Sequence, residues 1–199
     1  MFEAQERERE RLVEAIEQAV GHPLAQRLRQ AFLTVARSHF VPVYYVQDNP
    51  GEWSRHDAAD IVYQDQVLVT KVNEKGHPCS SSSMPSIMAA MLEALDVQEG
   101  HRVLEVGTGT GYNAALLGAL VGPCGQVVSV DIDHELVVQA SARLAEAGYS
   151  WVQTVGADGL EGYPSAAPYD RIIITGGYSR LPGTCATSLF MRAFWWGTS

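Results

Sequence analysis

The chain has 199 residues, 46% of them hydrophobic and 19% charged, which is enough apolar material for a buried core and excludes a disordered composition. Its 14 basic against 23 acidic residues give a formal charge of −9; this disfavours nucleic acid and anionic membrane surfaces as partners, since both recruit Lys and Arg. No apolar run approaches the ~18 residues of a bilayer span, the acidic N-terminus lacks the apolar segment of a secretory signal, and Cys79, Cys124 and Cys185 are unevenly spaced, so the expectation is a cytoplasmic protein with free thiols, no disulfide framework and no metal site.

Phe2 to Val20 places Leu12, Ile16 and Ala19 or Val20 at helical spacing with Glu and Arg filling the remaining positions, which predicts an amphipathic helix with a solvated charged face. Gly21-His22-Pro23 ends it, and a second amphipathic segment runs from Leu24 to about Arg37. Phe40-Val41-Pro42-Val43 reads as a turn into a packed loop, and Gln47 to Arg55, with Pro50 and Gly51, as a polar surface loop. Ile61 to Val72 alternates and is β-rich, which predicts a strand or hairpin. Asn73 to Ser83 is polar and contains four consecutive serines, by composition a flexible linker. Pro85 then opens a helix reaching Leu95, with Ile87, Met88, Met91, Leu92 and Leu95 on one face.

The pattern changes at residue 102. Arg102 to Val106 is a short apolar strand, followed by Gly-Thr-Gly-Thr-Gly and an Ala/Leu-rich segment, Tyr112 to Val121, suited to a buried helix. Gln126 to Val130 is a second strand ending in Asp131; Asp133 caps a helix that Gly148 stops. Trp151 to Val155 and Tyr169 to Thr175 are the third and fourth strands. Strands alternating with helices predict an α/β chain, a parallel sheet with helices on both faces. The first ~100 residues read as a helical and loop extension. The expected organisation is residues 1–100 as that extension, 101–182 as the sheet core, and 183–199 as an atypical tail.

The strongest constellation is Val103-Leu104-Glu105-Val106-Gly107-Thr108-Gly109-Thr110-Gly111-Tyr112. A strand runs into a glycine turn that opens a helix, at the carboxyl end of a parallel sheet, where such sheets bind ligands. A dinucleotide fingerprint would place a small residue at position 112, where Tyr112 stands. Glu105 would repel a pyrophosphate but attract a cation and an amine. S-adenosylmethionine carries both, as a sulfonium and an α-ammonium, and has no phosphate. The expected cofactor site is Glu105, Gly107, Thr108, Gly109 and Gly111, with Asp131 accepting from the ribose hydroxyls and Asp158, beside Gly159, accepting from the adenine amino group.

Leu104 to Tyr112 with Asp131 resembles the class I S-adenosylmethionine-dependent methyltransferases, and more closely the protein-L-isoaspartate O-methyltransferase family. Arg37-Ser38-His39-Phe40-Val41-Pro42 is similar to that family's basic-x-x-Phe-Val-Pro segment. Val62 to Leu68 resembles its Tyr-x-Asp-x-x-Leu stretch, and Ala157-Asp158-Gly159 with Tyr169 to Thr175 its Gly-Asp-Gly motif and following strand. The resemblance covers roughly residues 30 to 182 and implies a Rossmann-like core. The family's Thr-Ile-Ser-Gln-Pro segment matches Ser81-Ser82-Ser83-Met84-Pro85, so the resemblance gives Ser83 the catalytic serine's role. It implies methyl transfer to the carboxylate of an isoaspartyl or aspartyl residue in a protein or peptide partner, a protein-repair reaction.

A carboxylate of pKa near ~4 is already ionised at neutral pH and needs no strong general base. Catalysis would then rest on alignment of oxygen, carbon and sulfur, with Ser83 fixing the second carboxylate oxygen. Two alternatives stay open. The serine-rich version of the segment is similar to relatives that methylate aspartate in ribosomally made peptides. The tail after Pro182 departs from the family, which suggests a shortened C-terminus, missing sheet strands and a non-catalytic remnant that keeps a cofactor-like loop.

Overall fold

The computed structural model describes residues 2–59 and 61–176. The tail from 183, with Cys185, and the expected loss of C-terminal strands lie outside the described residues. The chain forms two compact units, Met1–Ala90 and Met91–Ser199.

The first unit opens with helix α1 (Phe2–Val20), which buries Leu12, Val13 and Ile16 and leaves most of its Glu and Arg residues in water. Helix α2 (Gln26–Thr34) buries Leu28, Ala31 and Phe32. The second amphipathic segment does not continue to residue 37 as one helix. Val35 is extended, and a separate turn of helix, α3 (Arg37–Phe40), follows.

The remainder of this unit is an antiparallel sheet of strands β1 (Val43–Asn49), β2 (Glu52–Asp57), β3 (Leu68–Val72) and β4 (Pro78–Ser82), in the order β2-β1-β3-β4. β3 falls within the strand or hairpin expected over Ile61 to Val72, whereas β1, β2 and β4 stand where loop was expected. The polar stretch around Pro50-Gly51 is the turn of a hairpin, with Tyr45 opposite Arg55 and Val46 opposite Ser54. Its strands escape a hydrophobic pattern because no residue of β1 or β2 is fully buried. The serine run is a strand too: Ser82 pairs with Leu68 and Ser81 with Val69. Residues 61–66, expected as strand, are a series of turns.

Helix α4 (Pro85–Leu95) runs across the division between the units. The second unit holds a fully parallel sheet of β5 (Arg102–Val106), β6 (Gln126–Asp131), β7 (Val152–Gly156) and β8 (Arg171–Ile174), in the order β7-β6-β5-β8. Alternation along the strands gives one face Leu104, Val106, Val128, Val130, Ile172 and Ile174, a single buried cluster. Glu105, Ser129 and Ile173 are register partners and share the other face. Helix α5 (Tyr112–Val121) has almost every residue buried, in keeping with its Ala/Leu composition. Helix α6 (His134–Glu146) is amphipathic, and Asp133 caps it by accepting from the N–H groups of Glu135 (3.1 Å) and Leu136 (3.3 Å). The chain steps outward from β5 to β6 and β7, then returns to the opposite side of β5 for β8. That reversal puts a topological switch point at the carboxyl end of β5, the place where open parallel sheets bind ligands.

Among the described residues no helix is long and apolar enough to cross a membrane. Cys79 and Cys124 are free and exposed.

Candidate functional site

The glycine turn sits at that switch point. Gly107 leaves β5 with φ +106°, and a Cβ built on it would lie 2.6 Å from the Gly176 nitrogen and 2.8 Å from Thr175 Oγ1. The turn is that close to the end of β8 because the Thr175 hydroxyl donates to the carbonyls of Gly107 (2.8 Å) and Val106 (3.2 Å). The Gly107 N–H donates to Val130 O at 2.8 Å, and the Gly111 N–H closes the turn on Thr108 O at 2.9 Å. Gly111, in the left-handed region at φ +85°, is the residue from which α5 starts.

Beneath the turn lies a buried polar network. Glu105 is 0% exposed, as is Ser129 on the neighbouring strand. One carboxylate oxygen of Glu105 accepts from Asn113 Nδ2 at 2.7 Å, and the other from Ser129 Oγ at 2.5 Å. Ser129 Oγ in turn shares a hydrogen bond of 2.7 Å with Thr108 Oγ1 in the turn itself. Burial raises the Glu105 carboxyl to about 7; the Asp131 charge pushes in the same direction, while the hydrogen bonds from Ser129 and Asn113 oppose it. Burial favours the neutral form of the carboxyl because an ion without water is costly. Thr108, 3% exposed, is likewise turned into this network. Sequence reading singled out Glu105 and Thr108 but missed Asn113 and Ser129. The signal available for them was positional: Ser129 stands two residues before Asp131 on the same strand, in register with Glu105.

Asp131, half-buried at the end of β6, faces the turn from the next strand. Its Oδ2 accepts from the Gly109 N–H at 2.9 Å and its Oδ1 from the Asp133 N–H at 3.0 Å. A carboxylate oxygen accepts more than one hydrogen bond, so both retain capacity toward a ligand. Ile132, which follows it, is 74% exposed, an uncommon place for an isoleucine and one the sequence reading did not mark. Asp158 lies two residues beyond the end of β7, exposed, with Oδ1 accepting from the Leu160 N–H at 2.9 Å, while Gly159 is buried in the short helical turn it caps. The Ala157 N–H donates to Asp131 O at 3.0 Å, which ties this loop to the end of β6. Glu105, Gly107, Thr108, Gly109, Gly111, Asp131, Asp158 and Gly159 thus gather at one end of one sheet.

Ser83 belongs to the first unit. It is half-buried, just after β4 and two residues before the start of α4. Its carbonyl accepts from Arg37 Nη2 at 3.1 Å. Asp65 Oδ1 accepts from the Ser86 N–H at 2.8 Å in the first turn of α4. Among the described residues no group of three or more His, Cys, Asp or Glu side chains could hold a metal ion.

A parallel sheet of order β7-β6-β5-β8, a glycine turn at its switch point and carboxylates on the first two strands define the Rossmann-like methyltransferase class. The family description "Protein-L-isoaspartate(D-aspartate) O-methyltransferase" matches residues 7–190. Among relatives, the protein-L-isoaspartate O-methyltransferase of Methanopyrus kandleri is 38% identical over 177 residues, covering 88% of this chain and 70% of that one. That of Methanosarcina mazei is 37% identical over 184 residues, covering 92% and 67%. A solved protein-L-isoaspartate O-methyltransferase superposes with a TM-score of 0.74 at 33% identity, covering 92% of this chain and 52% of that one. A Plasmodium falciparum structure, described as a complex with S-adenosyl-L-homocysteine, has a TM-score of 0.63 at 14% identity and shares the fold. The chain belongs to the protein-L-isoaspartate O-methyltransferase family. It spans about half the length of the first of those solved chains and about seven tenths of the two curated relatives.

Proposed function

We propose that this chain is an S-adenosylmethionine-dependent carboxyl O-methyltransferase acting on isoaspartyl residues of proteins or peptides. The observation that carries the reading is the charge around the glycine turn. Asp131 accepts from the Gly109 N–H of the turn, Glu105 lies beneath it, and no Lys or Arg stands between residues 103 and 112 of the sequence. A phosphate would meet repulsion there, whereas a ligand bearing sulfonium and ammonium charges and a ribose diol would meet acceptors. When bound, S-adenosylmethionine supplies an electrophilic methyl group on a positively charged sulfur.

The residues divide the work as follows. Asp131 accepts from the vicinal ribose hydroxyls while the Gly109 N–H holds its carboxylate in place. Asp158 offers its second oxygen to the adenine amino group, and Ile132 lays an apolar side chain beside the purine. Gly107, Gly111 and Gly159 let the backbone approach. Glu105 acts from below, holding the turn through Ser129 and Thr108. On the acceptor side, the Ser83 hydroxyl donates to one oxygen of the substrate carboxylate and leaves the other to attack. Bound S-adenosylmethionine would supply the methyl group that this oxygen takes, the electron pair of the carbon–sulfur bond leaving on sulfur. No proton moves, so no general base is required. In an isoaspartyl residue the neighbouring backbone amide nitrogen then attacks the ester carbonyl and methanol leaves, giving a succinimide whose hydrolysis partly restores aspartate.

Transfer of a tritiated methyl group to an isoaspartyl peptide, its aspartyl twin and an amidated control tests this. The isoaspartyl peptide should be labelled and the amidated control should not. Equal labelling of all three would remove the carboxylate reading. Preference for the aspartyl twin would favour the peptide-tailoring alternative, which the serine-rich β4 segment supports.

A further inference from the structure

Arg37 is the largest fully buried side chain of the chain's described core, at 0% exposure. A guanidinium in such a place must satisfy its donors within the protein. Nη1 donates to the carbonyls of Val62 and Gln64, both at 3.0 Å. Nη2 donates to Gln66 O, Ser82 Oγ and Ser83 O, each at 3.1 Å. Four Nη hydrogens therefore serve five oxygens on two segments lying 25 to 46 residues along the chain.

Those segments are the turn series at 62–66 and the end of β4. The turn carries Asp65, flanked by Gln64 and Gln66, and Asp65 accepts from the Ser86 N–H. The stretch from Ser82 to Ser86 is therefore held at both ends. Arg37 grips Ser82 and Ser83 directly, and it fixes the turn from which Asp65 grips Ser86. A planar fork suits this task. A lysine at the same position has three donors on one atom and cannot span five oxygens spread on two sides.

The geometry points to Arg37 as a positioning residue that, together with Asp65, sets the place of Ser83 for the acceptor carboxylate. This deepens the proposed function and rests on its assignment of Ser83. Arg37 touches neither substrate nor cofactor in this role; it acts through the segment it ties.

The test compares Arg37→Met, which keeps length and loses every donor, with Arg37→Lys and Asp65→Ala in the full chain. Amide exchange reports the clamp. In Arg37→Met the Gln64, Gln66 and Ser86 N–H groups should exchange at least tenfold faster, while those of β5 exchange as in the unmodified chain. Methyl transfer reports the consequence. For the isoaspartyl peptide kcat/KM should fall at least tenfold, with S-adenosylmethionine affinity within twofold and Arg37→Lys intermediate. Asp65→Ala should loosen Ser86 and lower kcat/KM by the same route, which keeps the idea testable should Arg37→Met fail to fold. Unchanged exchange at those amides, or a loosened clamp with kcat/KM intact, would overturn the assignment. An unmodified chain that labels no peptide would instead sink the proposed function, and the exchange data would still judge the clamp.

Discussion

Ser83, to which the proposed function gives the acceptor carboxylate, and Glu105, buried beneath the glycine turn, should fail differently when changed. Ser83 is assigned a hydrogen bond to a charged oxygen, and such bonds contribute about 1.5–3 kcal/mol. Ser83→Ala should therefore lower kcat roughly 10- to 150-fold and leave cofactor affinity within twofold, as steady-state kinetics beside calorimetry would show. Full turnover in that variant would deny Ser83 a catalytic role. Glu105 has instead a signature in stability. Its folded-state carboxyl is raised from 4.5 to about 7. Below pH 4.5 both states are protonated and burial is cheapest. Between 4.5 and 7 the unfolded chain releases a proton that the folded chain retains, so stability falls as pH rises, by about 3 kcal/mol in all. Glu105→Gln keeps the shape, accepts from Asn113 and removes the titration. Denaturant unfolding at pH 5 and pH 8 should show the stability difference between the two chains shifting by about 2.5 kcal/mol in favour of the glutamine variant. A difference independent of pH would mean that Glu105 ionises normally.

At the scale of elements, the glycine turn is held by backbone geometry. Gly107→Ala forces a side chain into the left-handed region and against the backbone of Gly176, which cannot swing aside. A loss of roughly 2–3 kcal/mol and of cofactor binding is expected. Gly156 offers the contrast. A Cβ there would collide with the His134 ring, an exposed side chain that rotates away, so Gly156→Ala should cost far less. Thermal unfolding of the two variants would order them, and equal losses would show that the turn is not the stiffer place. The same distinction explains what the sequence made legible. Ile172-Ile173-Ile174, the Ala/Leu-rich α5 and the Asp133 cap announce themselves because burial on all sides, or an end-group hydrogen bond, constrains residue type. The β1–β2 hairpin and β4 (Pro78–Ser82) stay hidden, because half-exposed strands of an antiparallel sheet need backbone partners more than apolar side chains. Glu105 and Asp131 were readable from spacing to the turn. Arg37 was marked only as part of a family-like segment; its bonds, and those of Asn113 and Ser129, were not readable, because the partners lie on other elements and only the fold brings them within reach.

For the whole molecule, the assigned roles separate by unit. The cofactor set lies in Met91–Ser199 and Ser83 in Met1–Ala90. A ligand that binds only the folded state adds RT ln(1 + [L]/Kd) to stability, about 2.7 kcal/mol at a hundredfold excess over Kd. S-adenosylmethionine should accordingly raise Tm by several degrees, and continue to raise it with concentration after the site is nearly full. Ser83→Ala should show the same shift, because its side chain serves the acceptor. Asp131→Ala should lose most of it, because it removes the oxygens assigned to the ribose hydroxyls and the partner of the Gly109 N–H. A scanning measurement on the three chains decides the matter without any substrate peptide. If Asp131→Ala is shifted as far as the unmodified chain, the cofactor is held somewhere other than the end of β6. If Ser83→Ala loses the shift, the division between donor side and acceptor side is wrong.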